Sequence, residues 1–360
     1  MQCRFNHSRL TAWLLLLAFP VLLQAGDVKL IRTIEKAFTS SSNQLVDLRN
    51  QYGDIYINST SGSRITMKVT IVGRGRTEEV AQKLIDEVLI KTSNSGSSLK
   101  ISTETPRSPG LKLGDKGLSV KYELGVPRSN PLKVINKFGN IHLGDRKGNL
   151  ELFIKNGKLI AGRLEGRNNA LDGHFSHAEI DYLRYGQIDF NFGGITIGET
   201  DYLKVDVAGG DVAIGIAGTL EMYVKQGKAS IGRAETVSGT YSSRYFALGY
   251  LGKKLDMDVK YAESFTIGEV GADFTSIDIE QSYTPIKINF NQNAKFTLEA
   301  KLQRGRLNYD APTVSMTIME IPTEQCDCNQ MNYFGQFGEG ADRGGVVEIE
   351  GYYGSVKIMQ

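Results

Sequence analysis

One short pattern returns along most of this sequence: a turn residue, a small or polar residue, then an apolar-x-apolar triplet that often ends on Gly. It is clearest at Phe138-Gly139-Asn140-Ile141-His142-Leu143-Gly144. It returns at Gly157-Lys158-Leu159-Ile160, Gly194-Ile195-Thr196-Ile197-Gly198, Asp211-Val212-Ala213-Ile214-Gly215 and Lys228-Ala229-Ser230-Ile231-Gly232. Ser264-Phe265-Thr266-Ile267-Gly268 and Ser276-Ile277-Asp278-Ile279 follow. Turn positions near Gly139, Gly157, Ser176, Gly193, Gly210 and Gly227 lie about 17–19 residues apart, and a fixed period of this kind marks a stacked repeat. Each period holds a second alternating run, such as Leu203–Val207 or Leu220–Val224. At roughly 3.3 Å per residue, one period fits two main strands. The pattern predicts a mainly β chain whose residues 128–310 form a parallel, β-helix-like β-solenoid of about 17–19 residues per coil. Ile, Leu and Val point inward, Thr, Lys, Asp and Glu point outward, and hydrogen bonds run along the stack. The 40 Gly against 8 Pro suit many tight corners.

The flanks differ. Residues 26–127 read as an N-terminal α+β capping segment. Leu45–Asn50 and Ile55–Ile57 alternate around Gly53, as a hairpin or a first coil, and 64–72 puts Ile65, Met67, Val69 and Ile71 on one face. Thr77 is a candidate N-cap, with Glu78 and Glu79 in the first turn. Val80, Leu84 and Val88, widened by Ala81 and Ile85, predict one helix over 78–90. Thr105–Lys116 reads as a long loop, and Pro127 and Pro131 set the boundary to the repeat. Within the repeat, 163–178 and 238–256 break the pattern and are expected to leave the stack as loops. Residues 311–360 are expected to hold a flexible loop over 320–345 and terminal strands over 346–360. The N-terminal segment would cap one end of the stack and 346–360 the other.

Arg4, His7 and Arg9 precede an apolar run from Trp13 to Leu23, and Gln24-Ala25-Gly26 follows. That is the plan of a signal peptide over 1–25. The run is shorter than the ~20 residues a spanning helix needs, and no Cys follows it to carry a lipid. The mature chain is therefore expected to be exported, without a transmembrane segment. With 42 basic and 40 acidic residues the formal charge is +2, which gives no electrostatic case for nucleic acid. Cys3 falls in the leader. Cys326 and Cys328 are too close for an unstrained disulfide, so free thiols and a strained bridge both stay open. No second Cys pair completes a zinc site.

Gln51-Tyr52-Gly53-Asp54-Ile55-Tyr56-Ile57, the Lys137–Gly144 coil, the coils to 280 and the final Tyr352–Ile358 together resemble the exported bacterial "putative adhesin" family, also described as head-GIN-type β-solenoids of unknown function. The resemblance covers most of the mature chain and departs at 163–178 and 238–256. It implies a parallel β-solenoid in the periplasm or at the cell surface of a Gram-negative bacterium, and it transfers no catalytic residue.

Candidate sites are few. Tyr241, Tyr245, Phe246 and Tyr250 could form an aromatic platform for a glycan or a protein, or cover an irregular coil. His174 and His177, with Asp172 and Glu179, are the best metal candidates, but the two His converge only if the chain turns between them; a polar surface loop is the simpler reading, and no metal or other cofactor is expected. Asp181, Asp189, Asp206 and Glu221 face outward with no pairing spacing visible, so the paired carboxylates of a polysaccharide-active β-helix enzyme are not found. The expectation is an exported, non-catalytic, adhesin-like structural or binding protein of the cell envelope, whose partner is an envelope glycan or protein. The alternatives are a polysaccharide-active enzyme and a scaffold that self-assembles through its ends.

Overall fold

The computed structural model describes residues 27–41, 43–105, 117–310, 313–322 and 329–360. The leader over 1–25, Pro106–Lys116 and the Cys326/Cys328 pair lie outside the described residues.

The chain is mainly β. Its N-terminal elements are β1 (Val28–Thr39), β2 (Leu45–Gln51), β3 (Ile55–Thr60), β4 (Arg64–Gly75), α1 (Glu78–Asp86), β5 (Leu89–Asn94), β6 (Ser98–Glu104) and β7 (Leu118–Pro127). The repeat follows as β8 (Leu132–Lys137), β9 (Ile141–Leu143), β10 (Leu150–Lys155), β11 (Lys158–Leu164), β12 (Asn169–His174), β13 (His177–Asn191), β14 (Gly194–Ala208), β15 (Val212–Lys225), β16 (Ala229–Ser242) and β17 (Tyr245–Lys260). Then come β18 (Ser264–Val270), β19 (Ser276–Ser282), β20 (Ile286–Phe290), β21 (Phe296–Gln303), β22 (Arg306–Asp310), β23 (Thr313–Pro322), β24 (Asn329–Phe337), β25 (Gly345–Tyr352) and β26 (Ser355–Met359). All 26 belong to one large mixed sheet that does not close on itself.

The period in the sequence is the pairing register. His177 faces Gly194, Ile195 faces Val212, Val212 faces Ala229 and Ala229 faces Phe246, all in parallel and all offset by 17 residues. Because the offset preserves inside and outside, Ile195, Val212 and Ala229 stack in one buried column and Ile188, Val205 and Met222 in another. Each long strand turns a corner midway. In β13 the alternation breaks where Tyr182 and Leu183 are buried side by side. A Gly column at this corner, Gly198, Gly215, Gly232 and Gly249, lets successive backbones touch: a Cβ at any of them would lie 2.4 to 2.6 Å from the carbonyl oxygen of the coil before.

Both stretches that break the sequence pattern stay in the ladder. Residues 163–178 supply the end of β11, all of β12 and the start of β13; Asn169 fits because its amide donates to the Gly166 and Tyr185 carbonyls at 2.9 and 2.8 Å. The aromatic stretch enters β16 and β17 with a single register shift after Ala234. The helix is shorter than its apolar pattern. Thr77 caps it, its hydroxyl accepting from the Val80 N–H at 3.3 Å, but it ends at Asp86 because Leu89 onward pairs with β6. Its buried face is Ala81, Leu84 and Ile85, with Val88 just beyond, while Val80 is exposed. The helix lies against β4 at Gly73, where a Cβ would meet the Ala81 carbonyl oxygen at 2.4 Å.

Both ends of the stack are threaded out of chain order. β2 lies between β6 and β8, and β3 between β7 and β9. Residues 45–60 are thus stack members, and the ladder continues across Pro127. At the other end β25 lies between β19 and β21, and β26 between β20 and β22. The final strands are therefore interior, not an end cap. The cap is the antiparallel hairpin β23–β24 laid on β21, in the region that the composition marks as a loop. Antiparallel pairing also closes the N-terminal end, through β5 on β6 and β4 with β1 on β7. Where the chain leaves β7, buried Arg146 donates to the carbonyls of Val126, Pro127 and Asn130 at 3.0, 2.7 and 2.7 Å. Burial pushes its pKa down to about 10, so it stays charged at neutral pH.

Candidate functional site

The turns between successive parallel strands carry a run of left-handed backbone among the described residues. Tyr52, Phe138, Asn156, Phe175, Phe192, Gln226, Tyr261, Tyr283, Arg304 and Tyr353 all have φ between 51° and 63°, and Gly209 joins them at 75°. This left-handed conformation costs an L-residue about 1–2 kcal/mol, and Gly or Asn would adopt it more cheaply. Seven of these positions are aromatic. Apart from Arg304, the backbone N–H of each residue bonds the neighbouring strand: Phe138 donates to the Lys155 carbonyl at 2.8 Å and Phe192 to that of Ala208 at 2.8 Å. The next residue must then be small, because a Cβ at Gly193 would sit 1.8 Å from the Ser176 carbonyl oxygen.

The rings project to solvent and stack on one another. Tyr52 and Phe138 lie 5.3 Å apart, Phe175 and Phe192 5.2 Å, Tyr261 and Tyr283 5.5 Å, and Tyr283 and Tyr353 5.0 Å, all within 11° of parallel. Phe175, Phe192 and Tyr261 are 57%, 56% and 67% exposed. A stacked pair contributes about 0.5–1.5 kcal/mol, which offsets the turn strain and leaves ring edges and hydroxyls free to meet a partner. Strained backbone conformations cluster at functional sites.

Two grooves open beside this column. The first, about 550 Å³, runs from His177 and Glu179 past Phe192 to Gly209, Gly210 and Asp211, where the aromatic ladder lapses into Gly. The second, about 810 Å³, lies at the far end among Tyr283, Tyr353, Arg304, Arg306, Asn308 and Ser355.

The four aromatic candidates separate. Tyr241 and Phe246 are buried: the Tyr241 hydroxyl donates to the Gly227 and Tyr245 carbonyls at 3.0 and 2.6 Å, and Phe246 stacks on Phe265 at 4.2 Å. Neither can touch a ligand. Tyr245 is exposed beside the turn column and its hydroxyl donates to Glu263, which raises the phenol pKa. Tyr250 lies at the Gly corner under the Arg233 guanidinium at 4.1 Å. Five residues of strand, about 16 Å, separate the two, so they share no platform. The chain does turn between His174 and His177, at Phe175, and His174 approaches Asp172 at 3.4 Å. Even so, no group of three metal-ligating side chains forms among the described residues. No helix of the described residues is long and apolar enough to cross a membrane.

Register does what spacing hid for the outward carboxylates. Asp172, Asp189 and Asp206 occupy equivalent positions on three neighbouring strands. Asp181 sits at the Gly corner, and Glu221 accepts from the Tyr202 hydroxyl at 2.7 Å. The turn aromatics themselves had a sequence signal: an aromatic directly before Gly, Ser, Ala or Thr, as in Tyr52-Gly53, Phe175-Ser176, Tyr261-Ala262 and Tyr283-Thr284. Read as punctuation, that dipeptide hides an aromatic side chain that faces outward at the turn.

No protein-family model matches the chain, and no curated protein matches it. Solved structures align with 91% of it. A "putative adhesin" from Parabacteroides distasonis ATCC 8503 is 11% identical over 97% of that chain, with a TM-score of 0.34. A "putative adhesin" from Parabacteroides merdae ATCC 43184 is also 11% identical over 97% of its chain, with a TM-score of 0.32. A "putative lipid binding protein" from P. distasonis ATCC 8503 is 12% identical over 97% of its chain, with a TM-score of 0.31. Likeness at this level assigns no ligand to the present chain.

Proposed function

We propose that the chain is an exported, non-catalytic, adhesin-like β-solenoid that binds a glycan or protein of the cell envelope along its aromatic turn column. The observation that carries this reading is the column itself. A bulky ring recurs, exposed, in a backbone conformation that favours Gly, at Phe138, Phe175, Phe192, Tyr261 and Tyr283. Core packing does not demand those rings, whereas large, rigid side chains at a surface suit recognition because they contribute area at low entropy cost. The parallel pairing at a 17-residue offset through β13 to β16 supports a solenoid winding, and the basic-then-apolar leader over residues 1–25 supports export. Tyr245, beside the column, is part of the proposed contact, and the antiparallel strands β1, β4 and β5 serve as the N-terminal cap.

The test is co-sedimentation of the purified protein with envelope fractions of its own cell. Saturable binding that drops when Phe192, Tyr245 and Tyr261 are changed to Ser supports the reading. Equal binding by that variant, folded as judged by its melting curve, would refute it. A second reading, self-assembly, is favoured by one observation: among the described residues β23 pairs only with β24, and it exposes Ile318, Met319 and Ile321. It predicts particle size that grows with protein concentration.

A further inference from the structure

We propose that the groove at the C-terminal end of the turn column is a binding site for an acidic glycan, with Arg304 and Arg306 taking the carboxylate. This rests on the reading of the column as the binding edge and adds the chemical class of the ligand.

The groove is shallow and its charged lining is of one sign. Arg304 and Arg306 line it, together with Tyr283, Tyr353, Asn308 and Ser355, and no carboxylate does. Lys287 and Lys357 lie next to it in register, Lys357 facing both Lys287 and Asn308 across neighbouring strands. Among the described residues none of these four cations has a carboxylate partner. On the strands before the turn, by contrast, Lys254, Lys260 and Lys301 are paired with Asp256, Asp258 and Glu299 at 3.5, 2.7 and 3.0 Å. Those strands also carry a row of acids: Asp256 faces Asp278, Asp278 faces Glu348 and Glu348 faces Glu299. Acids thus outnumber bases on the strands before the turn, whereas after it Arg304, Arg306, Lys287 and Lys357 outweigh Asp310 at the end of β22, and the field across the turn directs an anion to the groove.

The shape of the groove narrows the ligand further. Tyr283 is stacked between Tyr261 and Tyr353, and the Arg304 guanidinium lies 4.9 Å above the Tyr353 ring. Ring faces are therefore taken, which disfavours the base stacking that single-stranded nucleic acid needs. What the groove offers is two phenol hydroxyls, the Ser355 hydroxyl and the Asn308 amide, beside two planar guanidinium forks. Neutral donors and acceptors suit sugar hydroxyls, and the forks suit a carboxylate bound through both oxygens. Arg304 is pre-oriented, held by its left-handed turn and by the ring beneath it.

The probe is polygalacturonate, with its fully methyl-esterified form as the uncharged control and inorganic polyphosphate as the alternative anion. Titration calorimetry is run on the full protein and on the Arg304→Asn/Arg306→Gln variant, since Asn tolerates the left-handed turn. The expected result is binding of the uronate polymer that weakens about tenfold or more in the variant, the loss expected for two charge-assisted hydrogen bonds. Esterification should abolish it and added salt should weaken it. Equal affinity for the esterified polymer, no change in the variant, or binding of polyphosphate alone would overturn the assignment. Envelope co-sedimentation is measured in parallel. If the protein sediments with envelope but ignores uronate, this inference alone fails; if it does neither, the broader reading fails with it.

Discussion

Gly210 lies directly over Gly193: a Cβ on Gly210 would come within 1.4 Å of the Gly193 carbonyl oxygen. The neighbours repeat the relationship, since a Cβ on Gly227 would come within 1.7 Å of the Gly210 carbonyl oxygen. Backbone here occupies the space a side chain would need, and the coils cannot separate without breaking their ladder. Gly210→Ala should therefore destabilise by about 3 kcal/mol or more, the range reached by severe steric and packing faults. Gly96→Ala, where nothing lies within 4 Å, should stay within about 0.5 kcal/mol. Urea denaturation of the two variants checks both.

The rings of the turn column are poised between strain and contact. Phe192→Gly releases a left-handed strain of about 1–2 kcal/mol and forfeits a stack on Phe175 of about 0.5–1.5 kcal/mol. The two nearly cancel. The unfolding midpoint should shift little while envelope binding falls. A large loss of stability would instead assign the ring a structural role.

Arg146 is a cation buried on carbonyls, with no carboxylate paired to it among the described residues. Arg146→Met leaves the Val126, Pro127 and Asn130 carbonyls without their donor. A loss of about 2–4 kcal/mol is expected, the penalty for orphaned buried acceptors set against relief from burying a charge. The unfolding free energy reads it directly.

Asp278 stands in a row with Asp256 and Glu348. Burial first, then Asp256 and Glu350, raise its pKa in the folded state. An acid with a raised folded pKa contributes stability that is present below the ordinary carboxylate value and is lost as pH rises through the folded one. At pH 7 the charge on Asp278 thus weakens the fold. Asp278→Asn should melt at a higher temperature than the parent at pH 7, the gap narrowing in high salt and closing near pH 3.

Removing residues 345–360 takes β25 and β26 out from between their neighbours and leaves β19 to β22 with unpaired edges. The far end of the stack should lose amide protection over 276–310 while 177–242 keeps it. Hydrogen exchange on the truncated chain measures both regions at once.

The parallel ladder was legible because one period fixes both register and burial: Ile195, Val212 and Ala229 fall at the same point of the sequence pattern and at paired positions of neighbouring strands. The ends were not legible, because no local pattern says that Val347 packs between Ile277 and Leu298, a pairing decided by tertiary contact. The 238–256 stretch misled for a related reason. Tyr241 and Phe246 have the bulk of surface anchors, yet they replace aliphatic residues at inward positions of a ladder that is otherwise regular. At Phe175 and Phe192 the converse holds, since a left-handed turn sends outward a residue whose type suggests the core.

The central claim is that recognition runs along the turn column. The most direct test is hydrogen–deuterium exchange of the purified protein with and without the envelope fraction it binds. The account predicts added protection at the turns, around 175–177, 192–195, 261–265, 283–286 and 353–356, with the Gly corners at 198, 215 and 232 unchanged. Protection confined to the β1 or β23 edges, or none at any turn, would contradict it.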